Sequence, residues 1–180
     1  DCYHRPMRPL ILSRARAALM ATAVLAATLL AACNPTYNWR DHASPDGAYK
    51  VLFPAKPATF TRPVDLDGLK VEMTMTAAEV DGVTFAVGSA TAPDAARAQA
   101  ALPAMRRALL RNIGAADSSD APTKDGLQVD GSGSSNGRPV QLNGRFVARG
   151  ARMFQVIVLG KQGAAPPEQV EQFLTSFTPQ

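Results

Sequence analysis

Residues 69–87 read LKVEMTMTAAEVDGVTFAV, and the periodicity of this stretch decides the fold class. Leu69, Val71, Met73 and Met75 recur every second residue, opposite Lys70, Glu72, Thr74 and Thr76. Successive side chains of a β-strand point to opposite faces, so the alternation predicts a strand buried on one side and polar on the other. Asp81-Gly82 follows, a pair suited to the positive φ angles of a two-residue hairpin turn, and Val83, Phe85 and Val87 resume the alternation on the returning strand. Strands joined by so short a turn are antiparallel.

Working outward, Tyr49, Val51 and Phe53 share one side of an earlier strand that Pro54 and Pro57 stop. Between Pro93 and Ile113 the period becomes helical: Ala98, Leu102, Met105, Leu109 and Ile113 form one stripe, and Gly114 is placed to cap the C-terminus. Pro103 lacks a backbone N–H, so a kink or two short helices are expected there. Residues 115–125 are small and polar and read as a loop. Leu127 and Val129 open another strand, Asn136-Gly137 marks a second tight turn, and Val140, Leu142 and Phe146 alternate with Gln141, Asn143 and Arg145. After a turn at Arg149-Gly150, residues 153–159 (MFQVIVL) are apolar on both faces, the pattern of a central strand covered on both sides. Pro166-Pro167-Glu168 opens a last helix whose Val170, Phe173, Leu174 and Phe177 fall at i, i+3, i+4 and i+7. The expected fold class is α+β: an antiparallel β-sheet of about six strands with two helices, in the order βββαβββα.

The N-terminal residues speak to address. From Met7 the chain runs MRPLILSRARAALMATAVLAATLLAAC, with Arg8, Arg14 and Arg16 ahead of an uncharged, Ala- and Leu-rich stretch over residues 17–32. This is the charged and apolar sequence of an export signal, shorter than the roughly 20 apolar residues of a membrane span. Leu30-Ala31-Ala32-Cys33 resembles the lipobox of bacterial lipoproteins. The resemblance implies cleavage between Ala32 and Cys33, diacylglycerol on the Cys33 thiol and acylation of the new amine. Asn34, rather than Asp, implies by the same likeness transfer to the periplasmic face of the outer membrane. Each buried acyl CH₂ contributes about 0.8 kcal/mol, so an anchor of several chains does not dissociate.

The expected organisation is therefore residues 1–32 removed as upstream residues and signal peptide, residues 33–47 as lipidated Cys and tether, and residues 48–180 as a single α+β domain. Residues 34–47, NPTYNWRDHASPDG, lack apolar periodicity and suit a spacer. Tyr37 and Trp39 are expected to dock on the domain, with the membrane interface as the alternative.

Composition excludes several chemistries. The chain holds 19 basic and 15 acidic residues, and removing four arginines and one aspartate with residues 1–32 leaves 15 and 14. So balanced a domain has no electrostatic footprint for nucleic acid. Of two cysteines, Cys2 lies upstream and Cys33 carries the lipid, which leaves no thiol for a disulfide, a metal or a nucleophile. His42, in the tether, is the one histidine that survives cleavage.

SPDGAYKVLFPAKP at residues 44–57, with FLTSF at residues 173–177, resembles a group of small exported bacterial proteins whose domain is similar to the PsbP-like fold. The likeness implies an α/β/α sandwich in an exported compartment and carries no activity with it. Gly133-Ser134-Ser135-Asn136-Gly137 matches the G-x-S-x-G elbow of hydrolases, yet strand patterns flank it and only His42 could serve as its base, so it reads as a hairpin of small residues. A dinucleotide fingerprint fails at Asn136, where the third Gly should stand. Met73 and Met75 are soft ligands that suit Cu(I), but they continue the face of Leu69 and Val71 and read as core. The Asp65-Leu66-Asp67-Gly68 and Asp117-Ser118-Ser119-Asp120 segments read as polar turns and not as calcium loops.

The functional expectation is a lipid-anchored, non-enzymatic envelope lipoprotein that binds a protein partner or supports an assembly, with no cofactor and no metal. The alternatives are an envelope hydrolase, which would gather Glu72, Glu79, Glu168 or Glu171 across the sheet, and a small-molecule or metal-binding module. Glu72 and Thr74 on one strand, with Asn143 and Arg145 on another, form the expected partner face; water alone is its plainer occupant. Arg145 is the residue of choice there, because a planar guanidinium grips a carboxylate with two bonds.

Overall fold

Among residues 36–115 and 117–180, which the computed structural model describes, ten strands and two helices follow one another. They are β1 (Arg40–Ala43), β2 (Tyr49–Phe53), β3 (Ala58–Leu66), β4 (Leu69–Val80), β5 (Val83–Thr91), α1 (Ala95–Asn112), β6 (Asp117–Thr123), β7 (Gly126–Ser135), β8 (Arg138–Arg149), β9 (Arg152–Lys161), α2 (Pro167–Ser176) and β10 (Thr178–Pro179). Seven strands form one antiparallel sheet in the order β3-β4-β5-β9-β8-β7-β6, and a smaller antiparallel sheet runs β1-β2-β10.

The class is mixed α+β, as the periodicities predict, but the main sheet is larger than six strands. The four unanticipated strands, β1, β3, β6 and β10, are the four edge strands of the two sheets. An edge strand can be wet on both faces, and β3 is exposed along most of its length. Pro63, Pro122 and Pro179 stand within three of these edges, where a missing N–H costs no ladder bond on the solvent side. Two expectations need correcting accordingly. Residues 115–125 are not a loop but hold β6, and the compact unit runs Thr36–Gln180, so most of the expected spacer is fold, with Arg40–Ala43 paired to β2.

The two-residue turns have the expected backbone. Asp81 and Gly82 have φ of 50° and 75°, and Asn136 and Gly137 have 52° and 74°, which matches the right-handed twist of the strands they join. Gly133 answers to a close approach: a Cβ there would stand 2.1 Å from the Ile113 carbonyl oxygen, which accepts a bond from Ser134 N at 2.7 Å. The small residues of the β7–β8 hairpin thus seat the end of α1.

Each face of the large sheet has its own core. On one, Met73, Met75, Phe146, Met153 and Ile157 meet Ala98, Leu102 and Met105 of α1. Asp94 caps this helix by accepting from Arg97 N at 2.8 Å, and Gly114, at φ 56°, ends it. Pro103 does not divide α1, because both it and Gln99, whose carbonyl loses its donor, are exposed. On the other face, Phe85, Val87, Phe154, Val156 and Val158 pack against Tyr49, Val51 and Phe53 of β2 and Val170, Phe173 and Leu174 of α2. β9 lies between β5 and β8, with its side chains shared between the two cores, as its doubly apolar sequence requires.

The small sheet is latched to the large one at the β1–β2 turn, where Arg152 Nη1 donates to Asp46 Oδ2 at 2.5 Å. That bond, with one from Ser44, holds the Asp46 carboxyl at about 2. His42 lies on β1 with its ring 5.4 Å from Phe53 and its Nε2 buried without a partner among the described residues, and burial lowers its pKa from 6.5. The unfolded chain therefore binds the proton more tightly than the fold, so stability is full above pH 6.5 and falls as the pH drops toward the depressed folded value. Melting temperatures between pH 7 and 5 should decline in the wild type and flatten in His42→Phe. Asp46 acts in a separate window: its stabilisation is present above its ordinary pKa of 3.8 and is lost as pH falls toward 2, weakly because the carboxylate is half exposed.

Candidate functional site

The polar residues of β7 and β8 come together on the α2 face of the sheet. Gln128 lies opposite Arg145, and Asp130 opposite Asn143. Across β8, Arg145 is paired with Val156 and Asn143 with Val158, both under the second core, so α2 packs over β9 and leaves the strip from β8 to β6 open. Between strip and helix runs a groove of about 770 Å³. Gln128, Asp130, Gln141, Asn143 and Arg145 line the sheet side, and Pro166, Pro167, Val170, Glu171 and Leu174 line the helix side.

Internal bonds decide which groups remain free. Asn143 Nδ2 donates to Asp130 Oδ1 at 2.6 Å, which uses one donor of the amide and leaves its oxygen as an acceptor. Arg145 Nη1 donates to the Leu174 carbonyl at 2.8 Å, and Nη2 lies 3.9 Å from Asp125 Oδ1. Leu174 is in the last turn of α2, which has no basic residue of its own, so Arg145 supplies the cation and the donor that a helix C-terminus favours. The guanidinium chosen as the gripping residue is thus largely spent on holding α2 in place. Gln128 and Gln141 are exposed and make no side-chain hydrogen bond among the described residues.

The expected partner face is divided. Glu72 and Thr74 lie on the same face as Asn143 and Arg145, but β5 and β9 intervene, three strand spacings or roughly 14 Å, and the small sheet and α2 cover that middle ground. Glu72 is exposed, while Thr74 bonds Thr61 at 2.9 Å and buried Thr76 bonds Thr59 at 3.1 Å, stitching β3 to β4. Cys33 and Ala32 lie outside the described residues.

The other candidates fall to structural duty. Met73 and Met75 are 3% and 7% exposed, within the α1 core, and Gln155 Nε2 donates to Met75 Sδ at 3.4 Å. Ser134 and Ser135 sit exposed beside the β7–β8 turn, whereas the His42 ring packs on Tyr49 and Phe53. Ser135→Ala should leave any activity of the protein and its melting temperature unchanged, which a hydrolase assay with thermal melting checks. Of Glu72, Glu79, Glu168 and Glu171, only Glu171 lines the groove, where the other acid is Asp130. Asp65 accepts from Gly68 N at 2.6 Å within its turn, Asp67 pairs with Arg107, and Asp120 pairs with Arg106 at 3.3 Å. Among the described residues no helix is long and apolar enough to cross a membrane.

No known protein family and no curated protein matches this chain. Among solved structures, a protein from Bacteroides thetaiotaomicron is similar over 78% of this chain, at 14% identity and a TM-score of 0.43. The chain spans about half, 48%, of that protein's length.

Proposed function

We propose that this chain is a lipid-anchored protein of the bacterial cell envelope, held by acyl chains on Cys33 at the periplasmic face of the outer membrane, whose domain is a non-enzymatic module binding a protein partner. The groove between α2 and the strip from β6 to β8 carries the reading. Its volume falls in the range of ligand sites, and a largely apolar wall of Pro166, Pro167, Val170 and Leu174 faces a polar floor in which Gln128, Gln141 and Asn143 stand with Asp130 and Arg145. Gln128 and Gln141 each offer a donor and an acceptor, which suits the alternating N–H and C=O groups of an extended peptide, while Val170, Leu174 and the prolines suit its side chains. A sandwich similar to the PsbP-like fold is supported by two helices on opposite faces of one antiparallel sheet.

The test fills the groove without disturbing a bond. Gln141→Trp should leave the melting temperature unchanged and cut the yield of co-purified partner about tenfold, equivalent to ~1.4 kcal/mol. Full retention of every partner by the folded variant would remove the groove from the reading. Arg145→Glu is no substitute, since it also strips α2 of its cation and sets a carboxylate beside Asp125.

A further inference from the structure

Only Asn34 and Pro35 separate Cys33 from the first residue of the fold. An extended chain advances at most about 3.6 Å per residue, so Thr36 lies within roughly 11 Å of the Cys33 Cα and Tyr37 within roughly 14 Å. The residues that could have served as slack are bonded into the domain: Asn38 N donates to Pro54 O at 2.8 Å, and β1 is paired along its length with β2.

What stands at the end of this short leash is an aromatic pair. The Tyr37 and Trp39 rings stack at 6.2 Å with 14° between their planes, and both meet Phe85 edge-on, at 6.2 and 6.1 Å. Trp39 Nε1 donates to Gln169 Oε1 at 3.0 Å, which ties the pair to the first turns of α2. Both rings are half-buried. Phe85 lies on β5 just after the Asp81-Gly82 turn, and Gln169 follows Glu168 in the first turn of α2, so these contacts set the β4–β5 turn and the start of α2 beside the pair, and both carboxylates are exposed.

We propose that this rim, Tyr37 and Trp39 with Asp81 and Glu168, rests on the headgroup layer of the bilayer that holds Cys33. The inference depends on the acylation of Cys33 proposed above, because an acylated Cys33 sits at headgroup depth with its chains in the hydrocarbon. Rings with an apolar body and a polar tip favour that depth. The two carboxylates repel an anionic surface and suit the ammonium groups of zwitterionic headgroups, so the lipid partner is a zwitterionic one. Contact at this rim turns the α2 end of the groove, at Ala165 and Pro166, toward the lipid.

Trp39 is the only tryptophan of the chain and serves as the reporter. The mature protein, with acylation of Cys33 verified by intact mass, is reconstituted in phosphatidylcholine vesicles bearing a headgroup nitroxide. A ring at the interface should lose at least about half its emission to that quencher. The control is Trp39→Phe combined with Arg107→Trp. Arg107 pairs with Asp67 at the far end of β4 from Asp81, a strand length of roughly 36 Å, so the relocated ring should emit undimmed. Equal quenching of both reporters, or none at Trp39 in the acylated and folded protein, overturns the rim contact while the anchor stands. A mass without acyl chains overturns the anchor, and the rim contact with it, before any emission is read.

Discussion

Replacing Phe173 by alanine is expected to cost about 3 to 5 kcal/mol, the range for deleting a fully buried aromatic ring. Phe173 is wholly buried, and its ring centroid lies 5.4 Å from both Phe53 and Phe85, so one side chain joins α2, β2 and the large sheet. The cavity would open where three elements meet, and none can collapse into it without leaving the others. Ser176, which bonds Leu52 N at 3.0 Å, and Arg145, which holds the Leu174 carbonyl, would still pin the end of α2, so relaxation by helix movement is opposed. For a domain of this size the melting temperature should fall by on the order of 10 °C. An unchanged melting curve would show that α2 does not pack on this ring.

Cys33→Ser is expected to abolish membrane anchorage outright. On the proposed lipoprotein reading, serine lacks the thiol that would accept diacylglycerol, so the chain should remain uncleaved, or appear as soluble protein if another peptidase releases it. The loss is all or none because the acyl chains supply the affinity: each buried CH₂ contributes about 0.8 kcal/mol, and the surface of a near-neutral domain adds little. Intact mass and membrane fractionation read the result. A variant as acylated and as membrane-held as the wild type would sink the lipoprotein reading.

The parts of the fold legible in the sequence are those in which burial imposes a period. Leu69 to Met75, Val83 to Val87 and residues 153–159 each show their strand because one or both faces are dry, and the Asp-Gly and Asn-Gly pairs show the turns because few residues accept a positive φ. The edge strands have no such mark. Residues 58–66 and 117–123 earn their pairing from a neighbour's backbone, and backbone bonds leave no imprint on side-chain identity. The site follows the same division. Asn143 and Arg145 are readable as outward residues of an alternating strand, but the bond from Arg145 to Leu174 joins residues 29 apart in sequence, and no local pattern foretells it. Gln128 and Gln141 belong to the groove because α2 stops short of them, a matter of packing between elements far apart in the chain.

The prolines at the sheet edges matter most when many copies share one leaflet. Anchored molecules move in two dimensions, and their sheets meet side to side far more often than freely diffusing ones would. A long, regular outer strand under such crowding is a template, able to recruit the same strand of the next molecule and grow a ribbon across the membrane surface. Pro63 and Pro122 interrupt the outer row of donors on both flanks of the seven-stranded sheet, and the smaller sheet ends in two strands of only four and two residues, the second carrying Pro179. Both sheets thereby resist edge-to-edge strand addition, which is what copies crowded on one leaflet, as the lipoprotein proposal has them, would require.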